Sequence, residues 1–188
     1  MDTEKRNRRI EILKESGGIQ PIFRVFYAHS MVYCSSRCLA AFKHYGSLPK
    51  TALAAEELAW TLHDALNQAA ALSRFLWPDR GELHVIRGEA LCEILDIDDD
   101  SPLKLRSLRN RLEHFDQDLD KFLLEDVAGH FLPVPIVGDS RIAEEPTAMI
   151  FKLIDPEREI FVVLNKQFAF GPIRAEVEKV HRNLQRIL

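Results

Sequence analysis

The sequence predicts a mainly α fold: an antiparallel helical bundle that carries a β-hairpin and a terminal helix at its C-terminal end, α+β taken as a whole. Three observations predict it. Apolar side chains recur at steps of three and four through Leu58, Leu62, Ala65, Ala69, Leu72 and Leu76, and again through Leu105, Leu108, Leu112, Phe115, Leu119 and Phe122. Each series draws one stripe along a helix. Helix starts and stops are punctuated by Pro21, Ser101-Pro102, Gly46, Pro78 and Gly129. After Gly129 the texture changes to prolines and β-branched runs, the signature of extended segments and a hairpin.

A chain of 188 residues, 46% hydrophobic and 29% charged, can bury a substantial core and is too apolar for general disorder. The expected organisation is an N-terminal arm or short helix over 1–20, a helical bundle over 21–129, and a hairpin plus helix over 130–188 attached to the same domain. A net charge of −4 excludes a general nucleic-acid coat. No run of 18 apolar residues is present, and Met1-Asp-Thr-Glu-Lys-Arg6 lacks the apolar centre of a signal peptide. A cytoplasmic protein with no membrane partner is the expectation. Three cysteines argue against a disulfide framework. Cys34 and Cys38 lie one helical turn apart with His29 and His44 nearby, but Cys92 supplies no second pair, so buried reduced thiols are expected and neither metal nor cofactor.

Taken in order, Thr3 to Ser16 alternates charge with Ile10, Ile12 and Leu13, and Lys5, Arg6, Arg8 and Arg9 make it basic; a solvated terminus is the expected role. Pro21 to Tyr45 reads as a helix with Ile22, Val25, Phe26, Val32, Leu39 and Phe42 as its apolar face, and His29 and Tyr33 as a polar patch within the bundle. Thr51 to Leu76 is the second long helix, with Ala54, Ala55, Ala69, Ala70 and Ala71 permitting close helix approach. Its His63-Asp64 pair resembles a metal-phosphohydrolase dyad, but neighbouring residues on a helix point about 100° apart. A shorter helix lies within Glu82 to Asp96, most securely from Glu89 to Leu95. The acids from Asp96 to Asp100 lack the spacing and central glycine of a calcium loop. They precede a long helix from Ser101 to Val127, with Ser101 as N-cap. Phe131 to Val137 is extended and Gly138 to Pro146 a loop. Ala148 to Ile154 and Glu159 to Leu164 are strands joined by Asp155-Pro156-Glu157-Arg158, a type I turn. Pro172 opens a last helix with Ile173, Val177, Val180, Leu184 and Ile187 on one face and Arg174, Lys179, Arg182 and Arg186 on another.

The late helix holds the one chemical motif. Asn110 and His114 are four apart and share a polar face with Ser107, Gln117 and Lys121, whereas Arg109 lies roughly 140° round from His114. A bland reading makes this a solvated face, with Arg109 and Glu113 as an i,i+4 ion pair. Arg109-Asn110-x-x-x-His114 also resembles the signature of HEPN-domain proteins, an arginine and a polar residue followed by histidine on a long late helix. The likeness covers that helix and, loosely, the helical order from Pro21 to Val127. It implies a metal-independent endoribonuclease of toxin or defence type, acting on RNA at a composite site across a homodimer, with a protein partner such as an antitoxin in some members and a purely binding role in others.

On that reading the RNA 2′-hydroxyl attacks its neighbouring phosphate. His114 is the acid or base, Arg109 holds the phosphate oxygens, and Asn110 orients His114 or holds the phosphate. Arg111 adds positive field at the lip, and Glu113 steadies Arg109. Because one helix separates Arg109 from His114, a second copy is needed to bring an arginine to each histidine. The competing expectation is a non-catalytic helical interaction module. A small-molecule enzyme built on His29 and Tyr33 is a third.

Overall fold

The computed structural model describes residues 3–79, 81–124 and 129–188. Among these lie seven α-helices: α1 (Thr3–Glu15), α2 (Arg24–Ser47), α3 (Ala55–Leu76), α4 (Glu82–Ile94), α5 (Arg106–Glu113), α6 (Phe115–Phe122) and α7 (Phe170–Ile187). Six short strands accompany them: β1 (Phe131–Leu132), β2 (Ile136–Val137), β3 (Met149–Ile150), β4 (Lys152–Asp155), β5 (Ile160–Val163) and β6 (Lys166–Ala169). No helix among the described residues is long and apolar enough to cross a membrane.

The architecture is arranged around α3. Its predicted stripe of Leu58, Leu62, Ala65, Ala69, Leu72 and Leu76 is buried throughout, and α3 packs against α2, α4, α5, α7, β2 and β4. α2 lies along its length, and the expected face is met in part: Phe42 is buried and Val32 and Leu39 pack half-buried against the core. The buried side of α2 is Ala28, Met31, Cys34, Ser35, Cys38, Phe42 and Tyr45, whereas Ile22, Val25 and Phe26 face out. Small side chains let the helices approach closely, near enough for a polar contact between the Cys38 thiol and the Ala69 backbone. His29 and Tyr33 are exposed, not inside the bundle, which removes the site imagined on them. Gly88 lets α4 cross the end of α3: a Cβ there would strike the Leu76 carbonyl.

Beyond residue 129 the chain forms more than a hairpin. A four-stranded sheet has the order β2-β4-β5-β6, with β2 parallel to β4 and the remaining pairs antiparallel. β1 pairs with β3 in parallel. The Asp155–Arg158 turn stands where predicted, between β4 and β5. β6 was not expected: its turn uses Leu164 and Asn165, both at positive φ, with no glycine to announce it. Asn165 fixes that turn by accepting from the Ile150 amide at 2.7 Å and donating to the Ala148 carbonyl at 2.5 Å. Alternation along the strands sends Ile154, Phe161, Val163 and Phe168 into the main core with the helices and Leu153 and Val162 into a smaller cluster with Ala148 and Ile150.

α7 begins two residues before Pro172, at Phe170, whose ring contacts Phe42 and Tyr45 at 6.2 and 5.3 Å between centroids. Its predicted face of Ile173, Val177, Val180 and Leu184 is buried, while Ile187 stays half exposed.

Candidate functional site

The expected continuous helix from Ser101 to Val127 is broken. Ser101 caps a single 3-10 turn, Pro102–Lys104, not the long helix. Leu105 is extended (ψ 90°), and α5 and α6 meet at His114, which has φ −114° and ψ 35°. Residues 125–128, the predicted end of the helix, lie outside the described residues. The motif histidine is therefore the hinge between two helices. Its amide donates to the Asn110 carbonyl and its carbonyl accepts from the Asp118 amide, both at 2.9 Å.

Helical spacing keeps the motif residues on different sides of α5. Asn110 and His114 are exposed together, as their spacing requires. Arg109 points inward and is only 2% exposed. Its guanidinium donates to the Trp77 carbonyl at 2.9 Å and forms an ion pair with Asp79, both in the turn that ends α3. The expected pair between Arg109 and Glu113 does not form: Glu113 pairs with Arg74 of α3. Nor does Arg111 stand at a lip; it is buried and pairs with Asp118 at 3.2 Å. The physical reason is shared. A buried guanidinium must find acceptors, and α3 with its following turn offers Asp79 and the Trp77 carbonyl beneath Arg109. The charges nearest in sequence are not the nearest in space.

Directly after His114, Phe115 enters a cluster that the sequence did not reveal. Its ring meets His63 at 6.1 Å and 87°, and Phe151 at 6.1 Å and 71°. The Lys152 amine sits 5.3 and 5.2 Å from the Phe115 and Phe151 ring centroids. Lys152 is 9% exposed and has no carboxylate partner among the described residues, so the ring faces supply its attraction. Burial lowers its pKa. The available signal was a lysine within an otherwise apolar strand.

His63 Nδ1 is buried without a hydrogen-bond partner. Burial lowers the His63 pKa, and the Lys152 charge adds to this. As pH falls, the unfolded chain takes up this proton before the folded chain does. The His63 contribution to stability is therefore whole above the ordinary histidine value of about 6.5 and declines below it. Denaturant titrations at pH 7.5 and 5.5 should show a stability loss in the natural chain that His63→Phe reduces; an unchanged loss in the variant would contradict this.

Cys34 and Cys38 are buried free thiols, and burial pushes Cys38 up to about 12. No group of three or more His, Cys, Asp or Glu side chains among the described residues is placed to hold a metal ion. The chain matches no family model, no curated protein and no solved structure.

Proposed function

We propose that this chain is a non-catalytic interaction module that acts as a homodimer, assembled through the N-terminal end of α2. The observation that carries this reading is an apolar ridge in solvent: Ile22 is 73% and Phe26 67% exposed, with Phe23 and Val25 half exposed beside them. Soluble chains seldom leave such a patch uncovered without a use for it.

A second copy fits this ridge because the surface carries both halves of a contact. One flank is an apolar groove of about 410 Å³ between α2, α4 and α7, lined by Val25, Leu91, Ile94, Leu184 and Leu188 among others. The other flank is a groove of about 240 Å³ lined by Leu13, Ile19, Phe23, Phe26 and Tyr27. A two-fold contact needs a self-complementary patch, and ridge beside groove supplies one. Tyr33, Ile187 and Leu188 are further exposed apolar side chains on α2 and the C-terminal end of α7.

The position of Arg109 supports the non-catalytic half. Its guanidinium is held inside the protomer by Asp79 and Trp77. A composite ribonuclease site needs that group beside a phosphate. The second reading, a HEPN-type endoribonuclease, draws its support from the joint exposure of Asn110 and His114. Incubating the purified chain with RNA in the presence of a chelator separates the two. The proposal expects no cleavage beyond that of His114→Ala; metal-independent cleavage abolished by His114→Ala would overturn it.

A further inference from the structure

A cavity in the sheet region lies away from both the α2 ridge and the α5–α6 hinge. It measures about 570 Å³, and Lys50, Gly138, Arg141, Asp155, Glu157 and Arg158 are among the residues that line it. That volume lies within the range of small-molecule sites. Two loops of the sheet meet here, the one after β2 and the turn between β4 and β5, with Lys50 approaching from the segment between α2 and α3.

Asp155 is the organiser. Its carboxylate is buried and accepts from the Ser140 amide at 2.9 Å and the Arg158 amide at 3.1 Å, which ties the two loops together. Burial pushes Asp155 up, but these amide hydrogens outweigh it and hold the group below the ordinary carboxylate value. Its charge is thus engaged with the backbone. Asp139 is likewise engaged, forked onto Arg141 at 2.8 and 3.0 Å.

Two cations of the wall form no ion pair among the described residues, although the Arg158 charge helps to hold Asp139 ionised. The Arg158 guanidinium makes one long bond, 3.5 Å to the Ser140 hydroxyl. The Lys50 amine donates only to the Tyr45 and Leu48 carbonyls and sits 3.9 Å from the Tyr45 ring centroid. An arginine fork with free donors beside a compact ammonium suits a phosphate dianion better than a singly charged carboxylate. Glu157 on the same wall makes no hydrogen bond or ion pair among the described residues and is an acceptor suited to hydroxyl groups. Val137 and Pro156 give the wall an apolar surface.

We propose that this cavity binds a small phosphate monoester carrying hydroxyl groups, with Arg158 and Lys50 on the phosphate and Glu157 toward the hydroxyls. The site is independent of the dimer contact.

Gly138 provides a clean block. A Cβ added there meets nothing within 4 Å, and the residue is not at positive φ, so a side chain can occupy the cavity wall without disturbing the protein. Calorimetric titration of the full chain with AMP, ribose 5-phosphate and adenosine tests the proposal. AMP and ribose 5-phosphate are expected to bind and adenosine not to bind. Arg158→Gln should weaken binding at least about tenfold, and Gly138→Val should abolish it with the melting temperature unchanged. Failure of both phosphate esters to bind at millimolar concentration, adenosine binding as tightly as AMP, or both variants binding like the natural chain would overturn it.

Discussion

Replacing Arg109 by alanine is expected to lower the stability of the chain by about 2–3 kcal/mol, roughly 5–10 °C in melting temperature for a chain of this size. The substitution strips the donor from the Trp77 carbonyl, leaves Asp79 unpaired, and empties a space that is 2% exposed in the folded protein. The figure sits below that of a fully buried ion pair because the Asp79 side chain is 51% exposed and water screens it. Asp79→Ala should therefore cost less than Arg109→Ala, since Arg109 keeps its bond to Trp77. Arg109→Lys should recover less than half of the loss, because an ammonium cannot reach carbonyl and carboxylate with a rigid fork. Thermal melts of the three variants check this ordering. An unchanged melting temperature for Arg109→Ala would mean that the guanidinium is free to serve elsewhere, and would reopen the ribonuclease reading.

The second large effect is expected at the ridge. Ile22→Asp combined with Phe26→Asp should weaken dimerisation at least about 100-fold, since each side chain is worth about 1.5–3 kcal/mol when covered. The protomer itself should keep its helical content and melt within a narrow range of the natural chain, because both side chains project into solvent and make no core contact to lose. Circular dichroism with sedimentation velocity distinguishes loss of association from loss of fold.

α3 was legible in the sequence because its leucines repeat without interruption on one face. α2 was legible only in part, through Val32, Leu39 and Phe42. Bulk hydrophobicity favoured Ile22, Val25 and Phe26 as part of the inward face, but the buried side of α2 mixes the small side chains Ala28, Cys34, Ser35 and Cys38 with Met31, Phe42 and Tyr45. The large residues left over became the exposed ridge. The Asp155–Arg158 turn was announced by Pro156, whereas the Leu164-Asn165 turn carried no such mark. β2 pairs with β4 across a long connection, and local patterning holds no information on such a pairing.

The motif shows the same division. Spacing correctly put Asn110 and His114 on one exposed side. It did not anticipate Asp79, thirty residues before Arg109, or the break at His114, since the stripe from Leu108 to Phe122 stays nearly in phase across it. The cluster of His63, Phe115, Phe151 and Lys152 draws on three separate elements, α3, α6 and the β3–β4 segment, so no single stretch displayed it.

Two dimers are conceivable for this chain, one across the α2 ridge and one across the polar face of α5 and α6. Sedimentation velocity at equal micromolar concentration separates them when the natural chain is compared with Ile22→Asp/Phe26→Asp and with Asn110→Asp/His114→Asp. The ridge variant should sediment as a monomer and the polar-face variant as a dimer like the natural chain. A dimeric ridge variant beside a monomeric polar-face variant would contradict the account.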